Sequence, residues 1–196
     1  MATVAIRGEQ PRTRHLPGEE GIWLFILGDM MVFALFFLTF VYYRGTDVAT
    51  YVAAQKGLNE GLGLLNTLFL LTSSWFVALA VRGMRAGGGA RTPWLIAAAM
   101  LCGLAFVVVK FIEYREKFAA GITVLTNEFF MFYFMFTGIH LIHVLIGLGV
   151  LTYLLLLSRK PLPAAGDISA FESGAAFWHL VDLLWVVLFA LLYLVR

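Results

Sequence analysis

The sequence predicts an all-α integral membrane protein, a bundle of five transmembrane helices. Of its 196 residues, 61% are hydrophobic and only 13% are charged, which is more apolar side chain than a soluble domain of this size can bury. Five apolar stretches are each long enough to supply the roughly 20 residues with which a helix crosses a bilayer. Their predicted bounds are 21–43, 62–81, 93–114, 128–157 and 171–195.

Each predicted span has a recognisable start or interruption. The first runs without a break except for one acid, Asp29. The third begins at Pro93, which suits a first helical turn because proline lacks an N–H that the helix would leave unbonded there. Glycines 87–89 precede it, and Pro161 and Pro163 mark the connection before the fifth span. The fourth span is long enough to tilt or to protrude from the bilayer.

The chain divides into a short polar tail at the N-terminus and one membrane domain. Residues 1–20 lack the apolar run and cleavage site of a secretory signal, so we expect a cytoplasmic tail, with residues 21–196 forming a single five-helix domain. Lysine and arginine favour the cytoplasmic side of a membrane protein. One side would carry Arg7, Arg12, Arg14, Arg82, Arg85, Arg91, Arg159 and Lys160, and the other Arg44, Lys56, Arg115, Lys117 and Arg196. The predicted orientation has the N-terminus in the cytoplasm and the C-terminus outside.

Composition also argues against several functional classes. The net charge of +2 and the lack of a basic run do not indicate a nucleic-acid partner. Cys102 is the only cysteine, so neither an intrachain disulfide nor a paired-thiolate metal centre is available. The His-x-x-His spacing on the fourth span is a weak metal motif without accompanying Glu-x-x-His pairs, and we expect no metal in this chain.

Five ionisable side chains lie well inside the predicted spans, away from their ends: Asp29, His140, His143, His179 and Asp182. Each costs roughly 2.5 to 3.5 kcal/mol near the centre of a membrane helix, so each needs a partner. His140 and His143 are three residues apart and share a helical face, as do His179 and Asp182. Two interpretations remain open for both pairs: a His–carboxylate cluster or docking face for a polar partner, or polar contacts to backbone carbonyls that hold helices together.

Asp29 has no lysine or arginine one helical turn away. It either stays protonated or bonds a lipid headgroup, a water chain or another subunit. Asp29, Ser74 and His179 lie at similar depths on their spans, and His143 lies nearer the midplane. We therefore expect a polar layer drawn from four helices, with a shared interior site.

Two further groups have mainly structural interpretations. Lys110, Glu113 and Lys117 near the end of the third span are predicted to form an interfacial cluster whose charged heads reach the membrane surface. Trp178 and Trp185 are seven residues apart and are predicted to form one packing or lipid-contact stripe.

Four segments resemble subunit III of the haem–copper oxidase superfamily, and together they span nearly the whole chain beyond Gly21. They are ILGDMMVFALFF at 26–37, FIEY at 111–114, FMFYFMFTGIHLIHVLIG at 130–147 and FWHLVDLLWVVLFALLY at 177–193. Asp29 stands where the family more usually has Glu, and Leu141 replaces the usual Gly between the histidines. The segment 17–29 is similar to the branch associated with bacterial nitric oxide reductase.

The resemblance implies a subunit without catalytic residues, haem or copper of its own, in the bacterial inner membrane. Such subunits pack on catalytic subunit I, which holds the haems and copper, beside subunit II. They bind phospholipid in a cleft between helices and support proton uptake. The candidates for lipid contact, proton support or subunit contact are Asp29, Glu113, His140, His143, Trp178, His179 and Asp182, with Asp29, His143 and His179 assigned to the cleft.

The expected function is therefore a non-redox subunit of a complex that reduces O2 or NO with electrons from cytochrome c or quinol. Two alternatives from other classes are a small proton-conducting transporter, with Asp29, His143 and His179 as its relay, and a membrane metalloenzyme.

Overall fold

The computed structural model describes residues 18–160 and 164–195, and within these ranges the chain is helical, with short turns and no strand. Most of the predicted tail, residues 1–17, lies outside the described part. The helices are α1 Glu20–Thr46, α2 Val48–Gln55, α3 Glu60–Arg85, α4 Thr92–Ala119, α5 Glu128–Leu157 and α6 Ala165–Phe189, which continues into a π-helical turn at Ala190–Leu194. All except α2 and the turn are long and apolar enough to cross a membrane. The predicted all-α, five-span class is confirmed.

The helices extend beyond the predicted spans because charged residues end the apolar stretch but do not interrupt the helix. α3 continues to Arg85 and places Arg82 and Arg85 in its last turn, where cations are favoured by the helix dipole. α6 begins before the predicted fifth span, and the Asp167 carboxylate accepts a hydrogen bond from the Ala164 N–H at 3.0 Å. The apolar pattern therefore located the part of each helix inside hydrocarbon and not its polar ends.

The short helix α2 falls in a segment that the sequence analysis treated only as a connection. The Asp47 carboxylate caps it by accepting the Thr50 N–H at 3.2 Å. Hydrogen bonds from the Thr50 side chain and backbone lower the pKa of the Asp47 carboxyl below its ordinary value. α2 buries Tyr51, which packs edge-on against Phe40 and Phe129, and it thereby ties α1 to α5.

Consecutive long helices run in opposite directions, which gives the bundle two ends. The α1-start end holds the beginnings of α1, α4 and α6, and the α2 end holds α2 and the ends of α4 and α6. Helices α3, α4, α5 and α6 pack closely together, whereas the backbone of α1 comes close mainly to α6 and α2 and α1 reaches α5 through longer side chains such as Phe40. α1 is therefore the peripheral helix, and one side of it faces away from the rest of the chain.

Trp178 fixes the packing of α4, α5 and α6. Its side chain is fully buried between Gly103 of α4 and Gly147 of α5, where any added Cβ would lie within 3.0 Å and 2.6 Å of the indole ring, respectively. The indole N–H donates to Ser73 Oγ at 3.1 Å. Trp185 is also buried and donates to Thr67 Oγ1 at 3.0 Å. Of the two predicted roles for the tryptophan stripe, packing is confirmed and lipid contact is wrong.

We predict that Gly147→Ala destabilises the bundle, because the new methyl group would lie 2.6 Å from two atoms of Trp178. Overpacking of this kind costs about 1–3 kcal/mol. Thermal unfolding of the detergent-solubilised chain, followed by tryptophan fluorescence, measures the loss. Gly149→Ala is the matched control, since no atom lies within 4 Å of a Cβ there. Equal midpoints for the two variants would contradict the proposed wedge.

Candidate functional site

Asp29 finds a partner within the chain. Asp29 Oδ1 of α1 lies 3.2 Å from His143 Nε2 of α5, and the two side chains are only 14% and 15% exposed. The sequence predicts that this acid either stays protonated or bonds a headgroup, a water chain or another subunit. The neighbouring helix supplies a partner, and Asp29 and His143 form a partly buried contact between α1 and α5.

The hydrogen bonds of His143 fix how many protons the pair holds. Its Nδ1 lies 2.9 Å from the Ile139 carbonyl, and a carbonyl only accepts, so Nδ1 carries a proton. A hydrogen bond between Nε2 and Asp29 Oδ1 then requires one more proton. That proton sits either on the carboxyl or on the imidazole, and the pair is electrically neutral in both forms. Neutrality is what makes two ionisable groups tolerable at this depth.

A second polar pair joins α3 to α6. Ser74 Oγ lies 2.5 Å from His179 Nδ1, and the buried Asp182 side chain lies close to the same serine. Asp182 Oδ1 has no hydrogen-bond partner among the described residues. The predicted polar layer is thus present on α1, α3, α5 and α6, but as two separate groups. No hydrogen bond within residues 18–160 and 164–195 joins Asp29–His143 to Ser74–His179, so a single shared site is not formed.

His140 does not share a partner with His143. It is fully buried, with its ring 5.6 Å from that of Phe106 and 5.4 Å from that of Trp185. Neither ring nitrogen has a hydrogen-bond partner in the part of the chain that the structure describes. The interpretation as bonds to backbone carbonyls across a helix interface is wrong for both histidines, because among the described residues the one carbonyl that His143 hydrogen-bonds belongs to its own helix.

The charged cluster at the end of α4 is buried, not interfacial. Lys110 and Glu113 are fully buried and Lys117 is 8% exposed, so the expectation that their heads reach the membrane surface is wrong. Lys117 Nζ donates to the Gly57 carbonyl in the turn after α2. The three side chains turn inward because α4 faces α5 and the end of α6 there, where tyrosines and a backbone carbonyl can accept their hydrogen bonds.

Every donor of the Lys110 ammonium is used inside the protein. It donates to Glu113 Oε2 at 2.9 Å, to Tyr193 Oη at 3.0 Å and to Tyr133 Oη at 3.2 Å. Tyr193 in turn donates to Glu113 Oε1 at 2.5 Å. The ammonium also lies 5.0 Å from the centre of the Trp185 ring, within the range of a cation–π interaction. The cluster links α4, α5 and the π-helical turn.

The π-helical turn that carries Tyr193 is held from outside by α2. Gln55 Nε2 donates to the carbonyls of Leu191, Leu192 and Val195 at 3.2, 3.3 and 2.9 Å. Arg44 donates to the Val195 carbonyl at 3.2 Å. A helix end leaves its last carbonyls without partners, so these two side chains stabilise the turn that brings Tyr193 to Glu113.

A cleft opens beside α1. It has a volume of about 510 Å³ and lies between α1, α3 and α6 near the α1-start end. Its walls are mostly apolar, with Trp23, Ile26 and Met30 from α1. His179 lines the cleft, and Arg82, Arg85 and Glu172 also contribute to it. An apolar volume with cationic groups at the polar end of the bundle suits an amphiphilic anion, such as a membrane lipid.

The structure separates the predicted site residues into different environments. Of the three residues assigned to a cleft, only His179 lines this one; Asp29 and His143 bond each other. Trp178 lies in the core, and Glu113 lies in the Lys110 cluster. Among the described residues, no group of three or more His, Cys, Asp or Glu side chains is placed to hold a metal ion.

The sequence did not identify two residues of the Lys110 cluster, Tyr133 and Tyr193, or two that line the cleft, Arg82 and Arg85. The arginines entered only as orientation signals, although their i, i+3 spacing places them on one face of α3. Lys110 carried a stronger signal. It lies nine residues before the end of α4, about 13 Å along the helix, which is deep for a side chain that reaches the surface.

The family model and the relatives that match this chain all belong to one family. Residues 6–195 match the family model described as cytochrome c oxidase subunit III. A cytochrome c oxidase subunit 3 of Alkalihalophilus pseudofirmus is 29% identical over 190 residues, covering 94% of this chain and 91% of that protein. A quinol oxidase subunit 3 of Bacillus subtilis is 26% identical over 174 residues, covering 89% of this chain and 85% of that protein.

A third relative is much longer than this chain. The haem–copper oxidase subunit I+III of Aeropyrum pernix is 28% identical over 187 residues, which cover 90% of this chain but 22% of that protein. The present chain thus spans only about a fifth of the length of that relative.

We predict that Lys110 and Glu113, both on α4, stabilise the bundle as a buried ion pair. Lys110→Met leaves a buried carboxylate without its cation, and Glu113→Gln leaves a buried ammonium without its anion. Each is expected to cost about 3–5 kcal/mol. The double variant is expected to lose less than the sum of the two, because it leaves no unpaired charge. Unfolding midpoints of the wild type, the two single variants and the double variant complete a double-mutant cycle. Additive losses of stability would show that the two side chains do not interact.

Proposed function

The chain belongs to the cytochrome c oxidase subunit III family, and on that premise we propose that it is the non-redox third subunit of a bacterial haem–copper terminal oxidase. It would pack on catalytic subunit I, beside subunit II, in the inner membrane. The fused subunit I+III relative supports this arrangement, because a single chain there carries both names. Oxidase and quinol oxidase relatives favour O2 over NO as the oxidant of the complex.

The observation that carries the proposal is the Asp29–His143 pair. It holds one shareable proton in a neutral contact, 14–15% exposed, on the peripheral helix α1. The shared proton can move between the carboxyl and the imidazole without giving the pair a net charge. Its role would be to keep a protonatable, hydratable region close to the proton entry of subunit I, with the N-terminus of the chain on the cytoplasmic side.

The cleft beside α1 supports the second part of the proposal, the binding of a phospholipid. Its apolar walls would take an acyl chain, and Arg82 would contact the phosphate. Arg82 is exposed, and its guanidinium forms no ion pair or hydrogen bond with the described part of the chain. The lipid would fill the space between α1 and the α3–α6 pair and would hold the peripheral helix in position.

A proton-conducting transporter is not favoured. A relay through Asp29, His143 and His179 needs hydrogen-bonded continuity between the two polar pairs, and within the described residues no such bond is present. The family match points instead to a subunit that acts beside a catalytic partner.

We predict that Asp29→Ala leaves the haem content of the purified complex unchanged but shortens its active lifetime during turnover. The substitution removes the carboxyl that shares a proton with His143 and leaves a cavity between α1 and α5. Oxygen consumption followed to inactivation, together with a haem spectrum, measures both quantities. Asp47→Asn is the control, because Asn also caps a helix and Asp47 lies at the opposite end of α1. Loss of haem on Asp29→Ala would point to assembly instead of proton support.

We also predict that Arg82→Gln lowers the amount of phospholipid that stays bound through purification. The unpaired guanidinium would no longer attract the phosphate, whereas the apolar walls would remain. Quantitative lipid extraction per mole of complex gives the readout. Arg91→Gln is the matched control, since Arg91 lies at the start of α4 and does not line the cleft. Equal lipid content in both variants would place the lipid elsewhere.

A further inference from the structure

Three charged side chains lie at the cleft, two cationic and one anionic. Arg85 Nε lies 2.7 Å from Glu172 Oε1, so this guanidinium already faces an anion. Arg82 lines the same cleft and has no ion-pair partner among residues 18–160 and 164–195. The three together carry one net positive charge, and the fourth polar contributor, His179, has its Nδ1 engaged by Ser74.

Glu172 is held in place by more than its ion pair. Its second carboxylate oxygen, Oε2, accepts the backbone N–H of Gly18 at 2.9 Å. The adjacent Ser173 Oγ accepts the N–H of Glu19 at 2.9 Å. Gly18 takes a left-handed φ of 79°, and a Cβ there would lie 2.7 Å from Ser173 Oγ. The chain entering α1 therefore passes close over Glu172 and keeps its carboxylate beside Arg85.

We propose that Glu172 sets the headgroup charge that the cleft accepts, an inference that rests on the proposed lipid binding. By neutralising Arg85, it leaves one free guanidinium, which matches the single phosphate of a monoanionic glycerophospholipid. A lipid with two phosphates brings a second negative charge next to the fixed carboxylate, where like charges repel. Glu172 is thus a specificity-determining residue, and the preferred ligand is a single-phosphate anionic lipid.

Glu172→Gln tests this directly because it changes charge and little else. Glutamine is isosteric with glutamate, and its side-chain oxygen still accepts the Gly18 N–H. The net charge at the cleft rises by one, since both arginines become unneutralised. One additional cation near a phosphate corresponds to about a fivefold gain in affinity, and only the two-phosphate lipid uses both cations.

The experiment is a competition on the purified complex in nanodiscs that contain equal amounts of phosphatidylglycerol and cardiolipin. After transfer to lipid-free detergent, the lipids retained per complex are quantified by mass spectrometry. The wild-type complex should retain mainly phosphatidylglycerol. Glu172→Gln should raise the ratio of cardiolipin to phosphatidylglycerol about fivefold.

Asp167→Asn is the matched control. Asp167 also lies on α6 at the α1-start end and pairs with a cation, Lys160, at 2.7 Å, but it does not line the cleft. Its ratio should equal that of the wild type. Arg85→Gln provides a second test if Glu172→Gln fails to assemble: it removes the net positive charge, so retention of both anionic lipids should fall.

The outcomes separate the two proposals. If lipid stays bound but neither Glu172→Gln nor Arg85→Gln alters which lipids are retained, the proposed headgroup selection by Glu172 is overturned. The proposed binding of lipid in the cleft then still holds. If the wild-type complex retains no phospholipid and Arg82→Gln changes nothing, the proposed binding of lipid in the cleft is wrong. The proposed headgroup selection by Glu172 is then wrong as well. A shift of the same size in Asp167→Asn would also overturn the assignment to Glu172.

Discussion

The need to pair every ionisable group away from hydrocarbon governs this structure. Water is absent from the bilayer core, so a charged or strongly polar side chain there must find its partner within the protein. The chain meets this requirement for most of these groups with contacts between helices; among the described residues, the ring nitrogens of His140 and the Asp182 Oδ1 have no hydrogen-bond partner. Asp29 bonds His143, Lys110 bonds Glu113 and two tyrosines, and Ser74 bonds His179. Because each contact joins two or more helices, the same bonds that neutralise the polar groups also fix how the helices are arranged.

The contacts are unevenly distributed, and the proposed function rests on that difference. The α4–α5–α6 side is locked by the Trp178 wedge and by the closed Lys110 cluster. The α1 side is held mainly by aromatic packing toward the α2 end and by a few polar contacts, of which Asp29–His143 is the deepest. The cleft lies beside the less tightly packed half of α1. A rigid scaffold thus presents one peripheral helix with a protonatable pair on one side and a lipid-sized volume on the other.

The sequence predicted what depends on composition along one helix, and not what depends on geometry between helices. The five spans follow from apolar length, and the inner polar layer follows from counting residues along each helix. The partner of Asp29 could not be deduced, because nothing in the chain order says that α1 faces His143. Lys110 was misplaced for the same reason: its depth along α4 could be counted, but the tyrosines that accept its hydrogen bonds come from α5 and from a π-helical turn. That turn is a local departure from α-helical register, which apolar periodicity does not reveal.

The pairing of Asp29 with His143 is tested most sharply by nitrogen-15 solid-state NMR of the labelled protein in lipid, which reports the protonation state of His143. We expect a proton on Nδ1 and a hydrogen bond at Nε2 whose signal changes when Asp29 is replaced by Asn. A His143 ring with the shifts of a water-exposed imidazole, unchanged by that replacement, would contradict the pairing on which the account depends.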